Sequence, residues 1–342
     1  EARRKAVEEV MTGRLGQRLV VTRAEVDRRL QGLKSKAKST QKQKSKLAVS
    51  VGDIISLEKA VSAGADIIYL GGDQFRSKPP MGREQLARGI ELCLKRDITP
   101  VVQLPRLVHE QQVNNLAGYI EYIDSAGGRA VQVPDIGALA LALKHGNLAV
   151  YADYGLNVFN DYTLRALDKF GVRVSTLSPE LNLAQIKSLM QTRSQACEFL
   201  VYGALPLMIT EHCTVGSLLG GGNRKGCSRP CTTSKYGLKD RMSFTFPVET
   251  DQNCRMYIFN AKELNLLENL GDITAAGAHS LRLELKKDSA EYVAKVTKVF
   301  RRELDRAWGM PQYRPLDESM ELLKELRPGG YTKGHYFRGV LQ

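Results

Sequence analysis

Residues 57–72 read LEKAVSAGADIIYLGG. An amphipathic helical pattern over Leu57–Ala63 gives way to a short apolar strand, Asp66–Leu70, and then to a pair of glycines. Working outward, the same alternation recurs. Strands are expected at Leu47–Val51, Asp66–Leu70, Pro100–Leu104, Ala130–Val133, Ala149–Ala152, Arg173–Thr176, Glu198–Tyr202 and Ser280–Leu285. Helical patterns lie between most of them, at Leu57–Ala63, Gly82–Lys95, Gln111–Ser125, Ile136–Lys144, Asn160–Phe170 and Asn182–Met190. Strands separated by helical patterns of about 10–15 residues indicate βαβ units and a parallel sheet. Eight such strands predict a TIM-barrel-like parallel β/α barrel. A doubly wound open sheet is the alternative.

The rhythm breaks between the seventh and eighth strands. A helical pattern at Ala261–Glu268 and strand-like runs at Met242–Val248 and Met256–Asn260 accompany a glycine-rich, cysteine-rich stretch. It reads as an insertion at the carboxyl end of strand seven, the barrel face where active sites gather. Cys213, Cys227, Cys231 and Cys254 fall within it, while Cys93 and Cys197 lie outside. Gly220, Gly221 and Gly222 let the backbone bend around a compact object. Arg224, Lys225, Arg229 and Arg241 can lower thiolate pKa values. Four thiolates suit zinc or an iron–sulfur cluster. Structural zinc favours paired short knuckles. This chain has one short spacing, Cys227-x3-Cys231, and two long ones, which fits a larger cluster better. Two disulfides or unligated thiols are the remaining readings. The spacing of a radical-SAM site is absent, since Ser234 follows Cys231 by three.

The segment from Cys197 to Met208, CEFLVYGALPLM, resembles the signature of the collagenase-like peptidase family U-32 at Glu198, Phe199, Gly203, Ala204 and Leu205. Pro206 stands where many members have a cysteine. Ala63–Asp66 leading into Tyr69–Gly72, and Ser178–Leu181, are also similar, and the resemblance covers about residues 47–340. It implies a barrel-like fold and a 4Fe–4S cluster on Cys213, Cys227, Cys231 and Cys254, with zinc as the alternative. It also implies kinship with proteins that take part in oxygen- or prephenate-dependent hydroxylation of pyrimidines in tRNA or rRNA, and with others that hydroxylate a quinone precursor. The helix beginning at Arg3 resembles the end of the extra domain of long members. The chain is therefore expected to be the carboxy-terminal part of a longer protein, with an upstream domain as partner.

Polar residues at barrel strand ends are the pocket candidates: Asp73, Gln103, Arg106, Gln132, Asp135, Asp153, Asn157, Glu180, Arg282 and Glu284. Arg106 and Arg282 are expected to hold a small anion such as prephenate, because a guanidinium pairs bidentately with carboxylates. Taken singly, each candidate competes with a turn or helix-capping role, and Asp53, Asp135 and Asn160 directly precede helical patterns. His212 adjoins Cys213 and is a candidate neighbour of the cluster. The chain has no nucleophile elbow, P-loop or GxGxxG. A peptidase needs an activated nucleophile or a metal-bound water with its base, and no local motif supplies either.

The net charge of +13 is uneven: residues 1–46 hold fourteen Lys or Arg against five Asp or Glu. Lys34–Lys46 is polar, basic and nearly free of apolar residues, and reads as a tether or as an RNA-binding arm. The expected organisation is a basic helical segment and linker over 1–46, a barrel over 47–306 with the cysteine-rich insertion at 207–260, and a carboxy-terminal extension over 307–342. No apolar run approaches the ~18–20 residues of a membrane span, and the expected compartment is the cytoplasm.

Overall fold

The computed structural model describes residues 1–15, 22–26, 28, 44–193, 195–221, 226–310 and 312–337. Two compact units emerge, Glu1–Ser39 and Thr40–Gln342. In the first, helix α1 spans Ala2–Leu15. Most of the basic stretch 34–46 lies outside the described residues. Its last two residues are not linker: Ser45 is buried, and Lys46 opens the first strand.

The second unit is built on a closed ring of parallel strands. Strands β1 (Lys46–Ser50), β2 (Ile67–Gly71), β3 (Thr99–Gln103), β4 (Ala130–Val133), β5 (Ala149–Ala152), β6 (Val172–Thr176) and β7 (Ala196–Gly203) pair in sequence order. Strand β13 (Ser280–Glu284) pairs in parallel with both β7 and β1 and closes the ring. This is the eight-stranded TIM-barrel-like architecture, so the open-sheet alternative is excluded. Helices α2 (Ile54–Ser62), α3 (Arg83–Lys95), α4 (Val113–Ser125), α5 (Ile136–His145), α6 (Asp161–Lys169) and α7 (Leu183–Thr192) occupy the crossovers. Asp53, Asp135 and Asn160 accept backbone N–H bonds at the starts of α2, α5 and α6. Each satisfies one donor that the first helical turn would otherwise leave bare.

Period-two alternation sorts the strand side chains. On β1, Leu47 and Val49 pack in the large apolar layer between strands and helices, whereas Ala48 joins Ile67, Tyr69, Val101 and Ala130 in a smaller cluster. On β13, Leu281 and Leu283 belong to the outer layer. Arg282, between them, is fully buried amid Asp153, Glu198 and Glu284 at 2.8, 3.2 and 2.9 Å. Only the contact to Asp153 is aligned as a hydrogen bond. Glu198 also accepts from Tyr69, Thr176 and Ser280. Burial raises its pKa, against the pull of Arg282 and those three hydroxyls. The barrel therefore contains a buried cation netted by acids, which is stable only while the partners stay together.

Seventy-odd residues separate β7 from β13. They form a second, antiparallel sheet in the order β8 (Pro206–Thr210), β11 (Met256–Phe259), β10 (Thr245–Thr250), β9 (Tyr236–Lys239), with the short helix α8 (Thr214–Leu219) between β8 and β9. The helix expected at Ala261–Glu268 does not form. Glu263–Asn265 is instead strand β12, antiparallel to β7, and the helix α9 begins later, at Leu270–Ala275. The backbone groups of β12 find partners on the free edge of β7 beyond the ring, and this pairing overrides a helical composition. Helix α10 (Ala290–Ala307) packs on α2. The tail 307–337 adds helix α11 (Asp317–Leu326) and strand β14 (Tyr331–Thr332), which pairs with β12. Among the described residues, no helix is long and apolar enough to cross a membrane.

Candidate functional site

Two cavities lie at the carboxyl end of the barrel, back to back. The first is the barrel mouth. Six of the predicted polar residues line it: Asp73, Gln103, Arg106, Gln132, Asp153 and Glu284. Gln103 donates to Gln132 at 2.8 Å and accepts from Ser50 at 3.2 Å, so the two amides are set as a pair. The backbone N–H of Arg106 donates to Asp73, and its guanidinium stacks over the Tyr154 ring at 4.0 Å while bonding the Tyr154 hydroxyl. Burial opposes the charge on Arg106, but Tyr154 and Asp153 more than compensate, and its pKa rises. Burial likewise pushes Asp153 up, yet Arg282 and Arg106 outweigh it and hold the carboxyl below its ordinary range.

The other candidates lie elsewhere. Asp135 is occupied as the cap of α5. Asn157 sits in the left-handed region, φ 49°, closing the turn at Tyr154–Leu156. Glu180 is exposed, and its backbone N–H faces the Ser178 hydroxyl. Arg282 lies below the mouth, committed to its three carboxylates. Its side chain alternates inward on β13 and stops short of the pocket, so an anion in the mouth meets other cations.

Besides Arg106, two of those cations went unpredicted. Lys286 and Lys287 follow β13 and line the mouth. Lys286 donates to the Gly71 carbonyl at 2.9 Å, and burial pulls its pKa down. Lys287 pairs with Glu263 at 3.0 Å. Phe75, Tyr257 and Phe259 supply an aromatic wall, with Phe75 edge-on to both other rings. Two lysines directly after the last strand were the available sequence signal. The aromatic wall draws on two distant segments and had none.

The second cavity, of about 170 Å³, is lined by Cys213, Cys227, Cys231 and Cys254 together. They come from separate pieces of the insertion. Cys213 caps α8, Cys227 precedes the helical turn Pro230–Thr232 and Cys231 sits in it, and Cys254 lies in the β10–β11 turn. Arg229 and Cys254 are held at φ 56° and 60°, a left-handed conformation that side chains other than glycine rarely adopt. All six cysteines are free thiols, so neither disulfide is present. The Gly216 and Arg229 N–H groups each donate to sulfur at 3.3 Å, on Cys213 and Cys227, and Arg76 reaches Cys254 at 3.2 Å.

Glycine is required at Gly220, where a Cβ would stand 2.4 Å from the Cys227 sulfur and 2.8 Å from the Gly216 carbonyl oxygen. His212 and Arg229 also line this cavity. Arg241 does not: it sits on the exposed tip between β9 and β10. Arg224, Lys225 and Gly222 lie outside the described residues. Among the described residues, no three His, Cys, Asp or Glu converge as tightly as one metal ion requires.

A single wall separates the cavities. Along one segment of it, after β2, Asp73 and Phe75 line the mouth and Arg76 the thiol cavity. Along the other, the β10–β11 hairpin, Tyr257 and Phe259 line the mouth, and Thr250 and Cys254 the thiol cavity. The two segments are tied by a bridge between Phe75 and Asp251 and by the Arg76 bonds to the Thr250 and Asp251 carbonyls. Arg255, 1% exposed, ties the turn to the end of β8 through Glu211 at 2.5 Å and to the barrel through the Leu107 carbonyl at 2.6 Å. A charged residue next to Cys254 reads as surface, so sequence reasoning missed it. Pro206 lines the mouth, not the thiol cavity. The position where family members often carry a cysteine thus belongs to the other pocket.

Comparison with known proteins gives concordant relatives. An uncharacterized protease of Methanocaldococcus jannaschii is 27% identical, over 84% of this chain and 72% of that protein. The 23S rRNA 5-hydroxycytidine synthase of Escherichia coli is 25% identical over 74% of this chain, which spans only 38% of that protein. The tRNA hydroxylation protein P1 of Bacillus subtilis is 21% identical over 79% of this chain and 65% of its own length. The model of peptidase family U32 matches residues 52–340. With that match running from the first crossover helix to the end of the tail, the chain belongs to peptidase family U32.

Proposed function

We propose that this is an iron–sulfur protein that takes part in hydroxylating a pyrimidine of tRNA or rRNA. One observation carries the reading: a four-thiol cavity and a polar, aromatic-walled pocket share a single wall at the active face of the barrel. The thiols surround a space rather than a point, which suits a multi-atom cluster better than one tetrahedral ion with sulfurs at about 2.3 Å. A bound 4Fe–4S cluster supplies one-electron chemistry. The chain's own residues do the rest. Arg106 and Lys286 bind the carboxylate of a small co-substrate in the mouth. The Gln103–Gln132 amide pair orients its polar edge. Phe75, Tyr257 and Phe259 offer ring faces to a base that has left its stack. The names of the rRNA and tRNA relatives support the substrate class. The test is genetic: deleting the parent gene removes a hydroxylated pyrimidine from cellular RNA, and a Cys227→Ala copy fails to restore it. An unchanged modification profile in the deletion strain overturns the proposal.

The family label prompts a second reading, proteolysis. The mouth lining contains no Ser, Thr, Cys or His to serve as a nucleophile–base pair. Incubation with casein or denatured collagen is expected to give no cleavage above a mock purification. Cleavage that disappears in an Asp73→Asn variant with an unchanged melting temperature would establish the peptidase instead.

A further inference from the structure

Nine consecutive residues, from Gly237 to Thr245, are exposed and form the tip of the β9–β10 hairpin. The base of the hairpin is anchored: Val248 belongs to a buried cluster with Val215 and Met256, against which Tyr236, Cys213 and Cys231 all pack. The tip is preorganised. Thr245 is in register with Lys239, the Asp240 N–H bonds the Phe244 carbonyl, and one Asp240 carboxylate oxygen accepts from both the Met242 and Phe244 N–H groups at 2.9 Å. A structured arm of this kind normally shields its large apolar groups, yet Leu238, Met242 and Phe244 are 40, 76 and 43% exposed. Lys235, Lys239 and Arg241 are interleaved with them, and the one acid between residues 235 and 245, Asp240, is used to hold the turn.

We propose that this hairpin is an RNA-gripping arm for an unpaired segment, an inference that rests on the RNA reading above. Cations alternating with flat or flexible apolar groups match a single strand, which offers phosphates and base faces in turn. A duplex hides its base faces, so the arm selects unpaired RNA. Lys235, Lys239 and Arg241 take phosphates, and Phe244, with Met242 beside it, takes a base face. Because the base of the hairpin shares one apolar cluster with Cys213 and Cys231, a strand held by the arm passes next to the candidate site.

The experiment measures binding of the purified full chain to a pyrimidine-rich single-stranded RNA and to a duplex of equal length across a salt series. Phe244→Ala is expected to weaken single-strand binding on the order of tenfold, with an unchanged salt slope. A Lys239→Ala/Arg241→Ala double variant is expected to flatten the slope by about 0.7 per lost phosphate contact. All three substituted positions are exposed, and reactivity of the thiols toward alkylation should match the parent, which reports that the insertion is folded. If parent and variants bind alike, the arm is not the grip, while the RNA reading survives on another surface. If the parent binds neither RNA at low salt, both inferences fall. Phe244-dependent binding to anionic vesicles, or Phe244-dependent self-association, in place of RNA binding would give the arm to a membrane or to a second copy.

Discussion

Prepared without oxygen, the protein is expected to be brown and to carry about four irons per chain, the content of a cubic cluster on four cysteines. Cys227→Ala should abolish colour and iron together, because it removes one of the four thiols that line the cavity. Gly220→Ala leaves every thiol in place but sets a methyl group 2.4 Å from that sulfur, and should lower loading severely. Cys93 and Cys197 provide the controls. Both are buried, and burial pushes each thiol up to about 12, so neither offers a thiolate near neutral pH. Serine at either position should retain the iron. A colourless protein with one zinc, from an anaerobic preparation with ample iron, would replace the cluster with a structural zinc site. Loss of iron in Cys197→Ser would show that the ligand set is wrong.

Gly203→Ala should cost more than about 4 kcal/mol and leave little folded protein at 37 °C. Gly203 ends β7 at φ +112°, where a side chain is strained, and its added Cβ would stand 2.1 Å from the Glu284 carbonyl oxygen on β13. The obstacle is backbone on the seam that closes the ring, so no rotamer change relieves it. In the stretch that resembles the family signature, Glu198, Phe199 and Gly203 thus have a mechanical reading: a buried acid, an apolar anchor and a close backbone approach. Thermal unfolding monitored by circular dichroism checks the claim. A variant that melts within a few degrees of the parent would mean that the seam opens at little cost.

The eight barrel strands were legible because each is a short apolar run between amphipathic helices, and the period of the pattern changes sharply at every junction. Their ends alone shifted, as with Asp66–Leu70, which became Ile67–Gly71. The four cysteines were legible as a group because four of the chain's six fall in one short stretch, and the structure sets all four around one cavity. What stayed hidden depended on three-dimensional register. Whether Arg282 or Lys286 reaches the mouth is decided by how far along β13 the inward-facing row ends, and a single sequence carries no record of strand stagger. The helix expected at Ala261–Glu268 failed for a related reason. Its composition suits a helix, but the open edge of β7 above the ring offers backbone partners that only the assembled barrel reveals.

The closure of the ring by β1 and β13 also bears on how the chain is made. As the polypeptide leaves the ribosome, β1 can pair with β2 within seconds, but its other edge must wait until residue 280 has emerged. At about 5–20 residues per second, that edge stays open for roughly ten to fifty seconds. Throughout this interval Lys46–Ser50 presents unsatisfied backbone donors and acceptors beside an apolar face, a template for pairing with a neighbouring nascent chain. Chaperone dependence during synthesis is therefore expected to peak before residue 280 appears and to fall once the last ring strand docks, independently of when any cofactor arrives.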